Sequence, residues 1–182
     1  MITLKSAREI EAMDRAGDFL ASIHIGLRDL LKPGVDMWEV EEYVRRRCKE
    51  ENVLPLQIGV EGSIMDYPYA TCCGLNDEVA HAFPRHYILK DGDLLKVDMV
   101  LSEPTDKSVL DVSKLDFDNV AQVKKYTESY SGGLADSCWA YAVGTPSEEV
   151  KNLMDVTKEA MYKGIEQAVV GNRIGDIGAA IQ

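Results

Sequence analysis

The chain has 182 residues, 46% of them hydrophobic, enough to bury a full core as one domain or as one lobe of a larger one. A net charge of −11 with no offsetting basic stripe argues against a nucleic-acid phosphate surface. The opening MITLKSAREIEAM lacks the charged and apolar regions of a secretory leader, and no apolar run approaches the roughly 18 residues of a membrane span, so the expectation is a cytoplasmic protein with neither nucleic acid nor membrane as partner. The four cysteines, Cys48, Cys72, Cys73 and Cys138, contain no C-x-x-C and read as reduced packing residues.

Two helices come first. Ser6 and Glu9 form a capping box, and Ile10, Met13, Leu20, Leu27 and Leu31 trace an apolar stripe that stops at Lys32-Pro33-Gly34. Asp36 and Glu39 repeat the cap signature. Val40, Tyr43, Val44 and Cys48 keep helical spacing, and Arg45, Arg46 and Arg47 read as a solvated face near the C-terminus. From Val53 the texture changes to strand-like segments: LPLQIGV, YATCCGL, LLKVDMVL after the Lys90–Asp93 turn, and LADSCWAYAVG. Between the last two lies a polar stretch, about 103–132, that reads as an insertion into a hairpin. Phe117, Val120 and Val123 predict one short helix in it, and its mixed charges predict a surface appendage outside the core. Thr145-Pro146-Ser147-Glu148 predicts a capping box with proline at the first helical position, opening a helix whose stripe is Val150, Leu153, Met154, Met161 and Ile165. After Gly171, Ile174, Ile177 and Ile181 begin another. This order, helix, glycine turn, helix, matches the start of the chain, with Gly171 in the place of Gly34, and suggests a second copy of a helix-helix-strands unit.

Two aspartates stand out because strand interiors usually avoid Asp: Asp98 in KVDMV and Asp136 in LADSCW. A carboxylate in apolar surroundings needs a metal or a fixed hydrogen-bond network. His81 precedes them in GLNDEVAHAFP, and the only other histidines are His24 and His86.

The segments PYATCCGLNDEVAHAFP, LKDGDLLKVDMV, GGLADSCWAYAVG and GNRIGDIGAAIQ, in this order, resemble type I methionine aminopeptidase. The resemblance covers most of the chain outside the insertion. It implies an α/β (α+β) fold of the pita-bread (creatinase/aminopeptidase) type, with this chain holding the first half and the opening helices of the second. Residues 1–182 would then be a single, C-terminally incomplete pita-bread domain.

The resemblance also implies the site. Asp98 would chelate one of two divalent metal ions (Co, Mn, Fe or Zn) and Asp136 would bridge both. His81 would lie beside them as the catalytic histidine that contacts substrate, and Tyr67 and Cys72 would line the methionine pocket. The implied activity is removal of the N-terminal methionine from nascent proteins. Its partners would be N-terminal methionyl peptides and the ribosome, and a full site would need a complementary C-terminal half. The family's remaining ligands, one His and two Glu, are absent from this sequence, which has no histidine after His86, so the chain alone is expected to be inactive. The two aspartates are also further apart than in the family, which leaves room for the insertion. A non-catalytic pita-bread binding module and a prolidase-like peptidase are the alternatives.

Overall fold

The structure, a computed structural model, describes residues 3–182; Met1 and Ile2 of the opening stretch lie outside the described residues. Helix α1 (Ala7–Leu30) begins at Ser6, whose hydroxyl accepts from the Glu9 amide while the Glu9 carboxylate accepts from the Ser6 amide at 2.7 Å. The face it buries differs from the expected stripe at its start. Ile10 and Met13 are 57% and 42% exposed, and Ala12 and Ala16 are buried instead, followed by Phe19, Leu20, Ile23, His24 and Leu27. The reason is close approach. A side chain built on Gly133 would collide with the backbone of Ala12, so only small residues fit that end of the contact.

Helix α2 (Trp38–Glu50) is entered through Asp36, whose carboxylate accepts from the amides of Trp38 at 3.1 Å and Tyr87 at 3.0 Å. It buries Val40, Val44 and Cys48, and with them Glu41. The arginine triplet is not one solvated face. Arg46 is exposed, but Arg45 pairs with buried Glu41 at 2.6 Å and with exposed Asp118 at 2.6 Å, and Arg47 donates to the Tyr43 hydroxyl. A helix turns by about 100° per residue, so three consecutive arginines cannot share a face.

Three strands follow, β1 (Cys72–Leu75), β2 (Leu94–Ser102) and β3 (Leu134–Ala142), paired antiparallel in the order β1-β2-β3. The expected strand at LPLQIGV is a series of turns. Pro55 makes only an isolated bridge to Leu101, and Gly59 has φ +91°. Proline lacks the amide a ladder needs, and a positive φ breaks the pleat. YATCCGL is a strand only from Cys72, because the amides of Ala70 and Thr71 bind Glu41 instead of a neighbouring strand.

Segment 103–132 is not a surface appendage. Val112, Leu115, Phe117 and Val123 are buried in the same core as α1, α2 and the sheet. Asn52, itself buried, donates to the carbonyls of Thr105 at 2.7 Å and Leu110 at 2.9 Å and accepts from the Val112 amide at 2.8 Å. The anticipated short helix is α3 (Val120–Thr127), capped by Asn119.

Helix α4 (Glu148–Glu166) starts later than expected, with Ser147 as its cap and Pro146 just outside. Its stripe is largely open: Leu153, Met161 and Ile165 are exposed, and only Gly164 is fully buried, against Ile181 of α5 (Ile174–Ile181). Gly34 and Gly171, the turn glycines after α1 and α4, share a left-handed backbone, with φ +95° and +104°.

Candidate functional site

Side chains alternate along a strand, so Asp98 and Val100 of β2 share a face with Asp136 and Cys138 of β3. The register pairs Asp98 with Cys138 and Val100 with Asp136, which sets the two carboxylates diagonally across one sheet face. Burial, then the charge of Asp136, pushes the Asp98 carboxyl above its usual range, and nearby His81 pulls it back. Asp98 is half-buried and Asp136 exposed.

His81 is exposed, on the loop after β1, with φ +56° in the left-handed region that non-glycine residues seldom occupy. The loop is tied back immediately beyond it, where the Cys73 amide donates to the Ala82 carbonyl at 2.9 Å.

Cys72 faces Asp98 from the other neighbouring strand. Its sulfur accepts from Gln57 Nε2 at 2.9 Å, and the same amide's oxygen accepts from the Val100 amide at 2.8 Å. The Tyr67 hydroxyl donates to the Thr71 carbonyl at 3.0 Å, and burial followed by contact with Cys72 raises its pKa. Its ring meets Phe83 edge to face at 5.2 Å, and Tyr69 packs on both. The structure thus sets Cys72, Asp98 and Asp136 on one sheet face, with Tyr67 packed on the segment that leads into β1 and His81 on the loop that leaves it.

Sequence reasoning missed three side chains that build this region. Gln57 lies in a segment misread as a strand. Glu41 is fully buried, and its carboxylate accepts from the amides of Ala70 at 2.8 Å and Thr71 at 3.0 Å, from the Thr71 hydroxyl at 2.6 Å and from Arg45. The available signal was its helical spacing to Arg45, one residue off the Val40–Val44 stripe. His24 is buried beneath β3, stacked on Trp139 with ring centroids 4.7 Å apart and sharing a 2.7 Å hydrogen bond with the Tyr141 hydroxyl. Burial pushes its pKa down to about 4, against the opposing pull of the Ser137 carbonyl and with help from Arg28.

A paired carboxylate face is suited to a hard divalent cation, which would offset both the burial and the Asp136 charge that raise Asp98. Asp98 and Asp136 fit such an ion. Among the described residues, no group of three or more His, Cys, Asp or Glu side chains is placed to hold one.

Among known proteins, a methionine aminopeptidase from Streptococci has a structure that matches all of this chain with TM-score 0.93 and 90% identity, over 64% of its own length. A methionine aminopeptidase structure from Thermotoga maritima matches all of it with TM-score 0.78 and 31% identity, over 61% of its length. Methionine aminopeptidase 1 of Bacillus subtilis is 31% identical over 182 residues, 61% of its length. The chain therefore spans less than two thirds of these relatives, and the fold it shares with them is the mixed α/β pita-bread fold. No described helix is long and apolar enough to cross a membrane. The sequence pattern of metallopeptidase family M24 matches residues 11–102 and 125–182, and the chain belongs to that family.

Proposed function

We propose that the chain is part of a cytoplasmic methionine aminopeptidase that removes the N-terminal methionine from nascent proteins. The observation that carries this is the shared face of Asp98 and Asp136 beside Cys72, with Tyr67 behind it, in a chain 90% identical to a methionine aminopeptidase. Divalent ions held there would supply Lewis-acid polarisation of the scissile carbonyl and a nucleophile at neutral pH. Asp98 would hold one ion and Asp136 would be shared between two. His81, exposed beside Asp98, would donate a hydrogen bond to the scissile amide and orient it. Tyr67 and Cys72 would receive the methionine side chain, since an aromatic face and a thiol both suit a thioether. The Glu41 carboxylate holds the Ala70–Thr71 backbone that presents Cys72.

The remaining ligands, one His and two Glu, would come from the part of the relatives that this chain does not span. Such a site needs both parts. The test is cleavage of a methionyl peptide with added Mn²⁺ or Co²⁺, first by residues 1–182 and then after addition of a separately produced C-terminal half. Activity only in the mixture is the expected result. Equal activity from residues 1–182 alone would overturn the shared site, and no activity from the full-length protein would overturn the reading itself.

A further inference from the structure

Among the described residues, no hydrogen bond or ion pair joins segment 103–132 to Tyr67 or Cys72, yet the segment supports that pocket from two sides. On one side Asp118, 84% exposed, pairs with Arg45 at 2.6 Å; Arg45, 16% exposed, pairs with fully buried Glu41, and Glu41 accepts the amides of Ala70 and Thr71. Arg45 also donates to the Pro68 carbonyl at 3.3 Å, so the whole run from Pro68 to Thr71 hangs on this chain of charges. On the other side Lys124 pairs with Asp66 at 2.8 Å, and the Thr127 hydroxyl donates to the Ile58 carbonyl at 3.1 Å. Those contacts flank Gln57 and Tyr67, whose segments are tied together by the bond from the Gly59 amide to the Tyr67 carbonyl at 2.8 Å.

The energetic order of the parts follows from burial. A carboxylate with no exposure is costly unless every lone pair is used, and Glu41 accepts four hydrogen bonds, so it is held in one geometry. Arg45 supplies the compensating charge. Asp118 is solvated and adds little attraction by itself; its effect is to hold the guanidinium in the orientation that Glu41 requires.

We propose that segment 103–132 is a positioning element for the Tyr67–Cys72 pocket, acting through Asp118 and Arg45 on Glu41, and that Glu41 is the positioning residue that sets the pocket backbone. The proposal deepens the peptidase reading and rests on it for the identity of the pocket's occupant. Its consequence is that substrate binding, more than turnover, depends on residues far from the carboxylate pair.

The experiment uses the full-length protein with two readouts, hydrogen exchange at Ala70 and Thr71 and steady-state cleavage of a methionyl peptide. Asp118→Asn should speed exchange at both amides about two- to fivefold, as the loss of one exposed ion pair allows. It should raise KM about as much, with kcat changed less than about twofold, because the carboxylate face is untouched. Glu41→Gln should speed the same amides about tenfold or more, the loss expected for hydrogen bonds to a charged acceptor. Lys114→Gln, a charge removal in the same segment that reaches only Asp111, should change neither readout. Wild-type exchange at Ala70 and Thr71 together with wild-type KM in Asp118→Asn would overturn the proposal, and that variant decides the matter even where Glu41→Gln does not fold. If the wild-type protein cleaved no methionyl peptide, the peptidase reading would fail while the exchange readout still decided the positioning role.

Discussion

His24 should make the stability of this protein fall on mild acidification. The imidazole is buried, stacked on Trp139, and holds a native pKa of about 4, compared with 6.5 for the unperturbed group. Burial is the main cause; the Arg28 guanidinium, which lies 4.8 Å from the centre of the Trp139 ring, adds to it. The native value is lowered, so the unfolded chain takes up the proton first. Its contribution is therefore complete above pH 6.5 and is lost as pH falls toward 4. From those two values the linkage relation gives a loss of about 2 kcal/mol between pH 7.5 and pH 5. The comparison is His24→Phe, which keeps a flat ring against Trp139 but cannot titrate. Tyr141 retains a partner in that variant, because its hydroxyl also donates to the His24 carbonyl at 3.1 Å. Urea denaturation of both proteins at a series of pH values removes the background from carboxylates common to both. The stability difference between them should shift by about 2 kcal/mol in favour of the variant on going from pH 7.5 to pH 5. A constant difference across that range would refute the reasoning, as would an NMR titration of His24 with a midpoint near 6.5.

Phe117→Ala should destabilise the protein by about 3–5 kcal/mol in urea denaturation, the range for truncating a buried aromatic side chain, and excision of residues 105–131 should abolish the cooperative transition, because both remove part of the core. In calorimetric titration of the full-length protein with Mn²⁺, Asp136→Asn should lose both ions, whereas Asp98→Asn should retain a second, weaker binding event; wild-type stoichiometry in both variants would show that these carboxylates are not ligands.

Local signals were legible and distant ones were not. The Ser6–Glu9 box is complete within four residues, so the start of α1 could be read directly. Asp98 and Asp136 could be singled out because an Asp inside an apolar strand is anomalous in its own neighbourhood. Glu41 could not, since the amides that account for it belong to Ala70 and Thr71, in another part of the chain. The core residues of segment 103–132 escaped for a different reason. Val112, Leu115 and Phe117 are buried one at a time from turns and from a single turn of 3₁₀ helix between charged residues, so they follow neither a helical nor a strand period. The exposed stripe of α4 shows the converse: a correct period fixes which residues share a face, but not what covers that face.

Two buried ionisable groups, His24 and Glu41, show how β3 and its neighbours serve two environments at once. Ser137, Trp139 and Tyr141 of β3 turn toward α1, where the histidine lies, while Asp136 and Cys138 turn the other way and are exposed. A slip of β3 by one residue would put Asp136 against the apolar flank of α1 and Trp139 among the carboxylates. Gly133, at the entrance to β3, sits directly on the backbone of Ala12 and leaves no space for a side chain, so the strand enters at a fixed height on the helix. At its far end the Tyr141 hydroxyl is bonded to His24. With α1 gripping the strand at both ends, the diagonal placement of Asp98 and Asp136 follows from contacts on the opposite face of the sheet. The carboxylate geometry is thus held by packing on the face that the carboxylates do not share, and the fold bears both the burial of Asp98 and its repulsion by Asp136.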